Sequence, residues 1–235
     1  SVVVVIMRLG SLFTGGKDST YATRLAAEAG DEVAYLVTMH PRREDSWMFH
    51  TVNIRMAGLV AEAIGIEQVA ASTSGEKERE LDDLRGVLGS LDVDGVVTGA
   101  IASSYQRSRV DRICAELGLE HRTPLWGREG KELLEEMLSA GLVSIVTSIA
   151  ARGLDRRWLG RVLDTAAVEE LAELRRRFGV DVCGEGGEME TLVLDAPWFR
   201  SGLEVIRARE VWDGVRGSYL VEEARLRPKA SIHKS

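Results

Sequence analysis

The run Thr14-Gly15-Gly16-Lys17-Asp18-Ser19 lies between an apolar segment and a helical pattern. Its residue types suit a polyphosphate. Two glycines let the backbone turn tightly and bring N–H groups against an anion. A helix starting near Asp18 points its positive end at the same place. Lys17 adds a full charge, and Thr14 and Ser19 add donors. The spacing excludes a Walker A loop, which needs Gly, four residues, then Gly-Lys-Ser/Thr. Gly10 is one residue too far upstream for that pattern, and Asp18 follows the lysine.

Two further groupings carry chemistry. In Gly99-Ala100-Ile101-Ala102-Ser103-Ser104-Tyr105-Gln106-Arg107, small residues let a ligand approach the backbone, and Gln106 and Arg107 reach phosphate or substrate oxygens. Basic groups at a helix start are unfavourable there unless an anion is near. In Gly184-Glu185-Gly186-Gly187-Glu188-Met189-Glu190-Thr191, three carboxylates alternate with glycines. They repel one another unless a cation meets them, whether Mg²⁺, an ammonium group or a basic neighbour. A solvated acidic turn is the plainer alternative.

The elements that must position these groups alternate in the first half. Strands are expected at 3–13, 32–39, 68–72, 96–99 and 121–122, and helices at 19–29, 48–64, 76–91 and 105–117. Such alternation predicts a Rossmann-like parallel sheet with helices on both faces, and ligands beyond the carboxyl ends of its strands. Past Trp126 the pattern changes. Helices are expected at 131–140 and 166–178, a helix or loop at 154–163, and strands at 143–149, 192–195, 204–212 and 218–226. This predicts a first domain at 1–126, which carries the Thr14–Ser19 run, and a smaller α+β domain at 127–235, with 228–235 frayed.

Bulk properties narrow the function classes. A chain of 235 residues, 45% hydrophobic, holds one large domain or two small ones. The early apolar run 2–7 is too short to span a membrane, and no signal-peptide pattern follows, so a cytoplasmic location is expected. A net charge of -7 disfavours a large nucleic-acid footprint, so no stable nucleic-acid partner is expected. Cys114 and Cys183 form no CxxC pair and read as buried thiols. Asn53 is the single asparagine, Gln68 and Gln106 are the only glutamines, and arginine far outnumbers lysine, which points to a thermophilic source. A homodimer is compatible with the sequence.

The first run resembles the PP-loop of N-type ATP pyrophosphatases, which cleave ATP between the α and β phosphates and grip the departing pyrophosphate. With Ser46-Trp47-Met48-Phe49-His50-Thr51, the 99–109 loop, Pro124-Leu125-Trp126 and the 184–191 string, nearly the whole chain resembles the diphthine–ammonia ligases. Val52 stands where the family often has proline, and Met189 where an aromatic is usual. The resemblance implies an adenine nucleotide alpha hydrolase-like fold and an AMP-forming carbon–nitrogen ligase. ATP, Mg²⁺ and ammonia then amidate diphthine on translation elongation factor 2 through an acyl-adenylate.

On that resemblance, Thr14, Gly15, Gly16, Lys17, Asp18 and Ser19 hold the outer phosphates. Thr38, Gly99, Ala100, Ser104, Gln106 and Arg107 meet the rest of the nucleotide. Lys17, Glu185, Glu188 and Glu190 are the catalytic candidates. Trp47, His50, Tyr105, Gly186, Gly187 and Thr191 are the substrate candidates. Trp47, Tyr105 and Trp126 are also candidate faces for the trimethylammonium of diphthine. His50 either orients substrate or packs. The cysteines lie in no glutaminase context, so free ammonia is the expected nitrogen source. A tRNA-modifying PP-loop enzyme and a non-catalytic nucleotide sensor are the alternatives.

Overall fold

A computed structural model describes residues 5–42 and 52–229. Trp47, His50 and the rest of the 46–51 string therefore lie outside the described residues. Five strands form the first sheet: β1 (Arg8–Leu12), β2 (Glu32–Pro41), β3 (Glu67–Thr73), β4 (Gly95–Val97) and β5 (Glu120–Arg122). All pair in parallel, in the order β3-β2-β1-β4-β5. The chain moves one way from β1 to β2 and β3, then returns to the other side for β4 and β5. The switch point between β1 and β4 opens a crevice at their carboxyl ends. The 13–16 turn and the 98–103 loop both emerge there.

Helices α1 (Lys17–Glu28), α2 (Ala57–Ile64), α3 (Lys77–Gly89) and α4 (Ser104–Leu117) make the crossovers. Alternation along β2 divides its side chains. Val37 and Met39 join Leu84, Val110 and Ile113 under α3 and α4, while Leu36 joins the core on the opposite face. That second core is continuous with the carboxyl-terminal part of the chain, running from Phe13, Ala57 and Val60 to Trp158, Leu192 and Val193.

The second sheet is antiparallel, ordered β7-β6-β9-β8, from β6 (Val143–Ile149), β7 (Met189–Asp195), β8 (Ser201–Trp212) and β9 (Gly217–Pro228). Helices α5 (Gly130–Ser139) and α6 (Thr165–Phe178) accompany it, capped by Glu129 and Asp164 side chains. Backbone bonds tie the second sheet to the first half. The Val193 N–H donates to Gly15 O at 2.9 Å, and the Arg200 N–H to Ala63 O at 2.7 Å.

Several expected boundaries shift. In the described part of the strand expected at 3–13, β1 begins at Arg8, because the ladder starts where Arg8 meets Glu32, and Val5 and Ile6 are left exposed. The expected helix at 48–64 does not run through its described part. Asn53 sits at φ 66, a short 3-10 turn covers Ile54–Met56, and α2 starts only at Ala57. Asn53 tolerates that left-handed conformation, and its amide is clamped on β9. Nδ2 donates to Tyr219 O, and Oδ1 accepts from the Val221 N–H, both at 2.8 Å. In 154–163 only Arg156–Trp158 is helical, as one 3-10 turn. Pro228 closes β9 instead of fraying.

Candidate active site

A cavity of about 420 Å³ lies at the switch point, between the 14–19 turn, the ends of β2 and β4, and the 184–191 segment. The turn is built tightly. Gly15 has φ 80, which favours glycine, and a Cβ there would press on Ala57 and Val60. Gly16 stands at the N-cap position of α1 and has no side chain to satisfy the helix's first N–H groups. An anion in the cavity would do so. Thr14 Oγ1 lies 3.3 Å from Ser19 Oγ, and both hydroxyls border the cavity.

The second sheet holds the turn in place. Besides Val193 on Gly15, Thr191 Oγ1 accepts the Lys17 N–H at 3.0 Å. Lys17 itself is 2% exposed. Its ammonium donates to both oxygens of Asp18 at 2.9 Å and to Cys183 O at 2.7 Å. Burial opposes the lysine's charge, but Asp18, Cys183 and Glu185 outweigh it, and its pKa is raised. Burial pushes the Asp18 carboxyl up against the pull of Lys17.

The 181–187 turn is organised by Asp181, whose Oδ1 accepts the N–H groups of Cys183 at 2.8 Å and Gly184 at 2.9 Å. Gly184 has φ 78, and a Cβ there would overlap the Met189 carbonyl oxygen. Ala150 N–H donates to Glu188 O at 2.9 Å, so the segment is fixed to the end of β6 as well. Burial lifts the Cys183 thiol to about 12 and Cys114 to about 11, which leaves both protonated and poor nucleophiles at neutral pH.

The three glutamates do not converge. Glu185 Oε2 accepts from Ala102 N–H at 2.8 Å, Ser103 N–H at 2.9 Å and Ile101 N–H at 3.3 Å, filling the nest before α4. Glu190 Oε2 accepts from Val52 N–H at 2.7 Å. Glu188 Oε2 is buried with no hydrogen-bond partner among the described residues. Among the described residues no three His, Cys, Asp or Glu side chains come together as a metal site.

Most of the expected nucleotide residues border one cavity: Thr14, Gly16, Lys17, Asp18, Ser19, Gly99, Ala100, Gln106 and Arg107, with Glu185, Gly187, Glu190 and Thr191 opposite. Others do not. Thr38 is fully buried, accepts from Gln68 Nε2 at 2.9 Å and donates to Phe13 O at 2.8 Å, on the far face of β2. Val37 and Met39 line the cavity in its place. Gly15, Ser104, Tyr105, Gly186 and Glu188 are not part of the lining. Gly99 is needed by protein rather than ligand, since a Cβ would come within 2.7 Å of the Asp18 backbone. The Tyr105 and Trp126 faces, expected to meet a trimethylammonium, carry the guanidinium groups of Arg109 at 3.4 Å and Arg107 at 4.3 Å. Arginines of α4 fill those faces first, Arg109 from one turn along the helix and Arg107 from a neighbouring element. Asp181 and Thr98 were not singled out from sequence. The Asp-x-Cys-Gly spacing of an Asx turn was the available signal for the first.

Comparison with known proteins bears on what this cavity does. A family model described as "Diphthamide synthase N-terminal domain" matches residues 7–121, and one described as "Diphthamide synthase C-terminal domain" matches residues 129–226. A Danio rerio protein named diphthine–ammonia ligase is 37% identical over 226 residues, covering 87% of this chain and 88% of that protein. The Homo sapiens protein of the same name is 35% identical over 222 residues, covering 85% and 83%. A solved structure titled "predicted subunit of tRNA methyltransferase", from Methanocaldococcus jannaschii, overlays with a TM-score of 0.46 at 16% identity, covering 82% of this chain and 98% of that one.

Proposed function

This chain belongs to the diphthine–ammonia ligase family, and we infer that it is the carbon–nitrogen ligase of the last step of diphthamide synthesis, amidating the diphthine carboxylate. One observation carries the reading at the level of residues. The phosphate-type turn and the glutamate-glycine segment wall a single cavity, and Thr191, Cys183 and Val193 bond them together.

In this reading ATP lies across the ends of β1, β2 and β4. The positive end of α1, which carries no side-chain cap, receives the β and γ phosphates with the Thr14 and Ser19 hydroxyls. Val37 and Met39 flank the base. Lys17, kept charged, supplies the positive potential on which pyrophosphate departs. The carboxylates bordering the cavity are engaged by protein donors, so Mg²⁺ arrives on the nucleotide phosphates rather than in a protein cage. The substrate carboxylate attacks the α-phosphate, and ammonia displaces AMP from the acyl-adenylate. Glu188, behind the cavity wall between Gly187 and Met189 and with Oε2 unpartnered among the described residues, is the carboxylate proposed to hold an ammonium ion on its way to the cavity.

Elongation factor 2 is the proposed protein substrate and ammonia the proposed nitrogen donor. The protonated, buried thiols favour free ammonia over a glutaminase route and weigh against the thiolating chemistry of tRNA-modifying relatives. Among the described residues no helix is long and apolar enough to cross a membrane. A cytoplasmic enzyme from a thermophile completes the proposal, supported by the scarcity of asparagine and glutamine. Incubation with diphthine-bearing elongation factor 2, ATP and ammonium, read by mass spectrometry, tests it. Conversion of acid to amide is expected. Its absence, in the presence of all three, overturns the reading.

A further inference from the structure

Thr98 follows β4 into the cavity and is 8% exposed. Its Oγ1 lies 2.8 Å from His121 Nε2, and His121 Nδ1 lies 2.6 Å from Asp111 Oδ1. These three groups order themselves. An ionised carboxylate only accepts, so Nδ1 carries the proton that is donated to Asp111. In the neutral ring Nε2 is then the acceptor, and the Thr98 hydroxyl donates to it. That leaves an oxygen lone pair of Thr98 for a group in the cavity. The ring is 5% exposed at its side chain, whereas Asp111 is 50% exposed, so the chain leads from cavity to solvent.

The charged groups against the ring are Asp111 and Arg107, both on α4. Arg122, beside the ring on β5, is drawn toward Glu120 and Asp31. Burial lowers the His121 pKa, and Arg107 adds to this against the opposing pull of Asp111, so the ring is neutral at neutral pH. Of the carboxylates on the cavity wall, Asp18 is held by the Lys17 ammonium, and Glu185 and Glu190 each have an oxygen occupied by backbone N–H groups.

We propose that Thr98, positioned by His121 and Asp111, takes the proton released when nitrogen adds to the activated carboxyl. The step rests on the amidation reading above. Ammonia forms the new C–N bond, and the C–O bond to AMP breaks with its electron pair leaving on the AMP phosphate. The proton from nitrogen passes to Thr98 Oγ as the hydroxyl's own proton passes to His121 Nε2. Asp111 holds the resulting imidazolium until it returns a proton to water.

The test separates the two half-reactions. In His121→Gln, ATP–pyrophosphate exchange driven by the protein substrate should keep its rate, while amide formation falls about ten- to a hundredfold. At constant free ammonia, the unsubstituted enzyme should lose amide formation as pH falls below 6.5 and His121 gains its second proton, and the variant should lack that limb. Thr98→Val, which leaves the ring in place, should lower amide formation alike, and Thr98→Ser should restore it. Parallel loss of exchange and amide formation would overturn the relay, as would an unchanged rate and pH profile. Absence of amide from the unsubstituted enzyme would instead refute the amidation reading itself.

Discussion

Replacing Lys17 by methionine removes a buried charge while keeping an unbranched apolar stem. Two consequences of different size are expected from that loss. Its ammonium satisfies Asp18 and the Cys183 carbonyl at 2.7–2.9 Å, so the variant strands a carboxylate that is 27% exposed at its side chain. Partial access to water limits the cost to about 1–3 kcal/mol. For a chain of this size that lowers Tm by about 2–12 °C. On the proposed function the same charge faces the pyrophosphate as it leaves, and a preorganised group of this kind contributes about 10²–10³ in kcat. A second substitution, Asp18→Asn, removes the stranded carboxylate. The double variant Lys17→Met/Asp18→Asn should recover Tm but not kcat. Calorimetry and single-turnover amide formation on the four proteins complete the cycle. Recovery of rate together with stability would refute the electrostatic role and reduce Lys17 to a tether between the turn and the 181–187 segment.

Three other outcomes follow from the geometry. Gly184→Ala combines a left-handed backbone with overlap of the Met189 carbonyl, and should lower Tm and solubility; a melt within about 1 °C of the parent would contradict the turn described. Glu188→Gln should raise the ammonium KM and leave ATP–pyrophosphate exchange intact, and an unchanged ammonium KM removes Glu188 from that role. Glu136 is held below its ordinary 4.5, chiefly by hydrogen bonds from Arg128 and then Tyr21. The stability it contributes is therefore complete above 4.5 and lost as pH falls through the lower folded value. Glu136→Gln should flatten the acid side of the Tm–pH curve across that window, and identical curves for the two proteins would argue against the contact.

The parallel sheet was readable because its signals are local. Apolar runs, glycine-bounded turns and helical periodicity each occupy about ten residues, and five strands with their crossovers follow from them. The turn at 14–19 was readable for the same reason. Much of the site was not. Thr191 on Lys17, Val193 on Gly15 and Glu185 on the 101–103 nest join residues 80 to 180 positions apart, and no periodicity marks such partners. The carboxylates thus read as one acidic group, whereas each is drawn to the backbone N–H or space nearest it. Asn53 shows the opposite case. A single asparagine inside an apparent helix was the visible sign of a left-handed corner. Thr38 was misplaced through strand parity, because the adjacent Val37 and Met39 take the cavity face.

In the proposed reaction the nucleotide is cut between its α and β phosphates. Turnover of α- and γ-labelled ATP, followed beside amide formation on diphthine-bearing elongation factor 2, should give one AMP and one intact pyrophosphate for each amide. Release of ADP with orthophosphate, or amide formation out of step with AMP, would contradict it.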